Sequence, residues 1–325
     1  MRAIVVSEFG GPEVMELGTR PDPRPGPGQV LVEVHAAGVN PVDTYIRSGW
    51  YAKLPELPFV PGWDGAGRVL VVGAGVAALA EGDRVYFSGT ASGRAIGSYA
   101  ELAVCGEVQV FPLPDRLSYA QGASIGVPYA TAYRALFQRG NARSGEWVLI
   151  HGASGAVGTA AVQLARVHGL TVIGTAGTPD GVALVQREGA HHGVLHGTPE
   201  SAALIRGLTQ GRGVDLIIEM LANRNLDTDL SLLANHGRVV VVGNRGRVEI
   251  DPRQTMARES TILGVSLWHA SDLELREVHL RMAPDLAGGL LTPVVGRSFP
   301  LGEAAQAHRE ILAGGARGQL VLAVR

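Results

Sequence analysis

The stretch His151-Gly152-Ala153-Ser154-Gly155-Ala156-Val157-Gly158 joins an apolar run, Val148-Leu149-Ile150, to a helix-periodic segment from about Val157 to Val167. A strand, a turn of small residues and a helix, in that order, open a dinucleotide-binding βαβ unit. Glycines let backbone N–H groups come close to a pyrophosphate, and the helix N-terminus adds a favourable partial positive charge. The spacing is Ala153-x-Gly155-x-x-Gly158, with alanine in place of the first glycine of the common fingerprint. A plain tight βα turn has the same look, so the segments that follow must decide. A nucleophile elbow around Ser154 would need glycine at 156, where Ala156 stands, so an esterase is excluded.

Other reactive types are sparse. The pattern His191-His192-x-x-x-His196 could suggest metal ligands; the plainer alternative is a polar loop between a helix and a strand. Cys105 is the only cysteine, so no disulfide forms within the chain, and it is expected as a small core residue.

The turn at Ala153 needs elements to hold it. Thr171–Thr175, Val214–Glu219 and Arg238–Gly243 are short, β-branched apolar runs that predict parallel strands. Helix-like pieces lie near Pro179–Glu188, Pro199–Leu208 and Asn225–Leu233. The alternation predicts a doubly wound parallel sheet over residues 124–264. Residues 1–123 are mostly β, with strand candidates at Arg2–Ser7, Val14–Gly18, Val30–Ala36, Gly67–Val72, Arg84–Phe87 and Tyr99–Val104. The chain then returns to this first domain over 265–325, through a short strand after Val294, a helix at Glu303–Ala313 and a strand at Gln319–Val324. The length suits two domains, and the net charge of -2 without a dense Lys/Arg cluster speaks against nucleic-acid or membrane-surface binding. No apolar run is long enough for a membrane span, and the first residues lack the features of a secretory signal, so a cytoplasmic enzyme is expected.

Segments spread nearly end to end carry a resemblance: Glu8-Phe9-Gly10-Gly11-Pro12-Glu13-Val14, Gly38–Gly49, Thr131–Leu136, His151–Gly158, Gly174–Thr178 and Ile218–Asn223. On these the chain resembles the zeta-crystallin type of NADPH:quinone oxidoreductase, a zinc-free branch of the medium-chain dehydrogenase/reductase superfamily. The resemblance implies a GroES-like β-rich catalytic domain beside a Rossmann domain. It also implies a homodimer or homotetramer in which strands near Thr261–Leu267 pair across subunits.

Zinc-dependent members of the superfamily place a cysteine near Gly38 and a histidine after Pro61-Gly62. This chain has Val39-Asn40 and Trp63 there, so no metal is expected. Without a strong Lewis acid, activating an alcohol is difficult, whereas reducing a quinone is not, and reduction is favoured. Where NAD-specific domains carry an acid for the ribose hydroxyls, this chain reads Thr175-Ala176-Gly177-Thr178. No carboxylate there repels a 2′-phosphate, which permits NADPH. No Lys or Arg follows at once and Asp180 is close by, so His196 or an arginine elsewhere is left to meet the phosphate.

By resemblance, Ser154, Gly155, Ala156 and Val157 hold the pyrophosphate, Gly177 lies by the adenosine ribose and His196 contacts the cofactor. Asn225, Val242, Gly243, Asn244, Arg245, Val265, Ser266 and Leu267 line the nicotinamide half, and Tyr45 touches it. Asn225 reads equally well as a helix N-cap. Hydride transfer leaves negative charge on the acceptor oxygen, which nearby donors stabilise. Asn40 offers an amide donor, and Asp43 and Tyr45 share its segment. The same residues also read as a helix start, with Asn40 as cap and Pro41 in the first turn. The expected substrate is a small-molecule quinone. The alternatives are reduction of α,β-unsaturated carbonyls, and a cofactor-bound binding protein of the crystallin or RNA-binding kind.

Overall fold

The computed structural model describes residues 1–89, 96–198, 200–315 and 317–325. Among these the chain divides into two compact units, Met1–Ala130 with Leu267–Arg325, and Thr131–Ser266. The expected cuts at 123/124 and 264/265 therefore each move towards the C-terminus. The first moves because residues just beyond 123 are tied to the β-rich unit: the Asp64 carboxylate accepts from the backbone N–H of Val127.

The first unit begins with the antiparallel pair β1 (Arg2–Val6) and β2 (Met15–Thr19). The long strand β3 (Gln29–Val39) leads directly into helix α1 (Pro41–Arg47). Strands β4 (Asp64–Val72), β5 (Arg84–Ser88), β6 (Leu102–Gly106) and β7 (Val110–Pro112) follow, then α2 (Tyr119–Gly122) and α3 (Gly126–Tyr133). Strand β4 passes so close to β3 that a Cβ at Gly67 would lie 1.8 Å from the Glu33 carbonyl oxygen, so only glycine fits there.

The second unit holds β8 (Trp147–Ile150), α4 (Ala156–Val167), β9 (Thr171–Ala176), α5 (Pro179–Arg187), β10 (His192–Leu195), α6 (Ser201–Leu208), β11 (Val214–Glu219), α7 (Ala222–Leu232), β12 (Leu233–Val241), α8 (Pro252–Arg258) and β13 (Thr261–Gly264). The strands pair in parallel in the order β10-β9-β8-β11-β12-β13. Leu149, Ile173, Ile217 and Val239 are fully buried at its centre, as expected for a sheet covered on both faces. The order reverses between β8 and β11, and such a switch point opens a crevice at the carboxyl ends of the strands.

The chain returns to the first unit as α9 (Asp272–Gly288), β14 (Val295–Pro300), α10 (Ala304–Ala313) and β15 (Gln319–Ala323). The larger sheet of this unit then runs β14-β15-β3-β4-β5-β7, with β6 also paired to β3. Its core gathers Val30, Val32, Val34, Phe87, Tyr99, Phe299 and Leu322, with Cys105 fully buried among them.

Three expectations change. The stretch His192–Leu195 is an edge strand, not a loop: Val194 is buried against the core, and the His192 ring stacks on Trp147 at 5.7 Å. Tyr99 precedes β6 and packs in the core instead of opening the strand. The helix expected from Pro199 is seen from Ser201, and Pro199 itself lies outside the described residues.

Candidate cofactor and active site

The glycine turn sits at the carboxyl end of β8. Gly152 takes φ +56°, and Gly155 is the N-cap of α4 with no side-chain cap. The first-turn N–H groups of α4 are therefore open to an acceptor from outside the chain. Ser154, Gly155, Ala156 and Val157 are all partly exposed at this turn. A Cβ at Gly158 would lie 2.3 Å from the Gly152 carbonyl oxygen and 2.5 Å from the Ala153 Cα, so the turn closes tightly only around glycine.

Beside the turn lies a cleft of about 260 Å³, lined by His151, Thr175, His196, Ser201, Asn225 and Asp229 among others. Gly177 borders His196, since a Cβ there would come within 3.1 Å of His196 Nε2. His196 Nδ1 lies 3.3 Å from Thr175 Oγ1, which is 3.2 Å from His151 Nδ1. Partial desolvation and then the nearby His151 hold the His196 imidazole below its usual value, while Glu219 opposes them.

Asn225 is not the cap of α7. Leu221 takes that place, and Asn225 sits one turn inside. Its amide Nδ2 donates to Glu219 Oε1 and Oε2 at 3.1 and 3.2 Å. Asn225 thus borders the His196 cleft. The strand end that carries Val242–Arg245 is closed by Gly243, whose carbonyl accepts from Ala222 N, and by Asn223 Oδ1, which accepts from Arg245 N. Asn244 donates to the Gly246 carbonyl. Val265 N donates to the Val241 carbonyl and Ser266 ends the unit, whereas Leu267 belongs to the first unit.

Sequence reasoning missed the polar cluster beneath this cleft. Glu219 and Asp229 are fully buried, and His151 nearly so. His151 Nε2 lies 2.9 Å from Asp229 Oδ1 and 3.7 Å from Glu219 Oε2. Glu219 also accepts from Leu221 N, and a carboxylate oxygen of Asp229 lies within 4.8 Å of one of its own. The available signal was an acid ending the apolar run Val214–Ile218, at the carboxyl end of a parallel strand where ligands bind.

In the first unit, Asn40 and Asp43 open α1 as a capping pair. Asp43 Oδ2 accepts from Asn40 N at 2.8 Å. The Asn40 side chain is engaged elsewhere: Nδ2 donates to Asp64 Oδ2 at 3.0 Å, and Oδ1 accepts from Gln319 Nε2 at 3.2 Å. Asn40 is 1% exposed and Asp43 2%. The expected roles of substrate donor and catalytic group therefore do not fit these two side chains; both position their segment, and half-buried Tyr45 is the residue of the three that reaches the surface. Asp64 joins this segment to the next, accepting also from Ser88 Oγ and Val127 N, each at 2.9 Å. Trp63 is buried and meets Trp268 edge-on at 5.1 Å, with Tyr51 on the same ring at 5.3 Å and Lys53 Nζ 5.6 Å above it.

Burial pushes the Asp43 carboxyl up to about 8 in the fold, from 3.8, against the bond from Asn40. Between these values the unfolded chain releases a proton that the folded chain keeps. Asp43's contribution to stability is therefore complete below pH 3.8 and lost as pH rises through about 8. Melting temperature should fall between pH 6.5 and 8.5, and Asp43→Asn should flatten that slope. An equal slope in the variant, by calorimetry, would exclude Asp43 as its source.

Residues 26–115 match the family model described as "Alcohol dehydrogenase GroES-like domain", and residues 156–280 match "Zinc-binding dehydrogenase". The chain is 49% identical over 324 residues to a rat protein named quinone oxidoreductase, covering 99% of this chain and 97% of that one. It superposes with a TM-score of 0.93 on a structure described as an NAD-dependent alcohol dehydrogenase, at 30% identity over the full length of both chains. An Escherichia coli quinone oxidoreductase solved with NADPH gives a TM-score of 0.87 at 27% identity, again over both full chains. With a β-rich GroES-like unit, a Rossmann unit and this full-length likeness, the chain belongs to the quinone oxidoreductase family of the medium-chain dehydrogenase/reductase superfamily.

Proposed function

We propose that this chain is a zinc-independent, cytoplasmic NADPH:quinone oxidoreductase. The uncapped first turn of α4, set at a glycine turn beside the His196 cleft, carries this reading. NADPH, when bound, supplies the hydride. Ser154–Val157 hold its pyrophosphate, with the N–H groups of Ala156 and Val157 open to it; Gly177 and His196 line the adenosine end, and Asn225 borders the same cleft. Val242–Arg245, Val265–Leu267 and Tyr45 serve the nicotinamide end. Asn40 and Asp43 fix the segment that presents Tyr45. At the place of a zinc-ligating histidine in zinc-dependent relatives, Trp63 is packed against Trp268, and an indole offers no lone pair to a metal.

Cofactor oxidation followed with NADPH and NADH, against a panel of quinones and enones, tests this. Turnover of quinones with NADPH well above NADH is the expected result. Faster turnover of enones under matched conditions would transfer the reading to an enone reductase.

His196 supplies a graded test of the phosphate contact. As imidazolium, His196 offers Nε2–H as a charged donor, with Nδ1 3.3 Å from Thr175 Oγ1. A bound phosphate raises the imidazole's proton affinity, so the charged bond's gain is complete below the lowered value of the free protein and lost as pH rises through the raised value of the complex. His196→Ala should raise the KM for NADPH about tenfold at pH 6, as for a lost charge-assisted bond. The KM for NADH should barely move. Equal changes for both cofactors would place His196 away from the phosphate.

The reading includes a homodimer or homotetramer. Strand β13 ends its sheet, and Thr261, Ile262 and Gly264 on it are exposed. An unpaired edge of this kind can accept the same strand from a second copy. Light scattering should return the mass of two or four chains; a single-chain mass would remove this part.

A further inference from the structure

The carboxylates of Glu219 and Asp229 lie side by side beneath the cleft, and among the described residues no lysine or arginine pairs with them. The elements packed around them contribute His151 after β8, the uncharged Thr175 on β9 and His196 after β10. Arg206 on α6 bonds Ser231 Oγ, and Arg258 on α8 bonds the carbonyls of Leu233 and Ser231, towards the far end of α7. Among the described residues, Asp229 Oδ2 meets no N–H or O–H donor. Two buried carboxylates whose oxygens approach within 4.8 Å favour holding one proton between them, because like charges at that distance repel strongly out of water.

The donors divide unevenly. Glu219 takes Leu221 N and the Asn225 amide; Asp229 takes His151. Asp229 and Asn225 are four residues apart on α7 and so share one face of the helix. The proton therefore joins the end of β11 to the first turns of α7, and through Asn225 to the wall of the cleft.

We propose that the proton shared by Glu219 and Asp229 is a working part of the cofactor site: while it is held, Asn225 and the start of α7 keep the cleft in its binding shape, and cofactor binding takes up a proton wherever the free protein has lost it. The proposal rests on the cofactor occupying the His196 cleft. Burial raises both carboxyls towards neutrality, which puts the loss of this proton within reach of ordinary buffers. It belongs to the pair and not to either residue. With the proton gone, two buried anions repel across the β11–α7 joint and the Asn225 wall is displaced.

The test is the dissociation constants of NADPH and NADH by fluorescence titration between pH 7 and 9; NADH carries no 2′-phosphate to draw a proton onto His196, so its profile isolates the carboxyl pair. The unmodified protein should bind progressively more weakly as pH rises, at most about tenfold per pH unit, the limit for one proton. Glu219→Gln and Asp229→Asn each replace the shared proton by a permanent amide donor. Their profiles should be flat and should cross that of the unmodified protein, so that both variants bind more tightly at pH 9. Asp229→Leu supplies no donor and should bind weakly at every pH. A flat profile in the unmodified protein overturns the proposal, and so do profiles of equal slope in all forms. Absence of any nucleotide binding by the unmodified protein overturns the cofactor reading and this one with it, whereas binding with an unaltered slope overturns this one alone.

Discussion

Gly158→Ala loses nucleotide binding by at least about a hundredfold, roughly 3 kcal/mol of affinity. The added methyl would lie 2.3 Å from the Gly152 carbonyl oxygen and 2.5 Å from the Ala153 Cα. These atoms are backbone, so no side chain can rotate away, and the turn must open instead. Opening it moves the first-turn N–H groups of α4, whose value to a pyrophosphate lies in being fixed in advance. Overpacking of this kind also costs about 1–3 kcal/mol of stability. Gly155→Ala is the matched control for the fold: its Cβ meets only the Gly152 oxygen, at 3.5 Å, and its φ of -78° suits any residue. Calorimetric titration with NADPH and thermal melts of both variants check this. Near-normal affinity in Gly158→Ala would mean that the turn does not hold the cofactor.

Asp64→Ala lowers the melting temperature by on the order of ten degrees and quinone turnover with it. The carboxylate is fully buried and accepts from Asn40, Ser88 and Val127. Removing it strands three buried donors, at about 1–3 kcal/mol each before relaxation. The damage should extend beyond stability, because Asn40 precedes α1 and sets the segment that carries Tyr45. Asp64→Asn keeps the shape but turns an amide donor towards donors, so it should fall between the two. Unchanged turnover in a stably folded Asp64→Ala protein would separate this junction from the reaction.

The Rossmann sheet was legible because its strands are buried on both faces. Runs such as Val239–Val242 and Leu216–Ile218 have no polar interruption, and a glycine or an acid marks where each ends. The pyrophosphate turn was legible for the same local reason. Helix α9 was not identified, although Leu275, Val278, Met282 and Leu286 are buried on one face at helical spacing, because Pro284 interrupts the pattern and reads as a break. Strand β10 was hidden by His192 in it and His191 before it, which pack through a ring stack and a backbone contact that no propensity reports. Asn40 and Asp43 were legible both as donors to the substrate and as a helix start, and their capping bond and burial fit the second reading. Their partners, Asp64 and Gln319, are 24 and 279 positions from Asn40, and only the fold brings them together. The same distance in sequence concealed the meeting of His151, Glu219 and Asp229.

The placement of Cys105 bears on how long such a catalyst lasts. Quinones are electrophiles that alkylate thiolates and amines, so an enzyme working among them is exposed to attack by its own substrate. Cys105 is the only thiol, fully buried, and burial pushes its ionisation up, away from the reactive thiolate. The chain has a single lysine, Lys53, and its N-terminal amine is bonded to the Arg20 carbonyl and the Asp22 carboxylate. Its remaining side-chain cations of fixed charge are arginines, which are not nucleophiles at neutral pH. Arylation of a thiol or an amine thus has almost no place to begin, and the protein should survive more turnovers in a quinone excess than a cysteine-rich one.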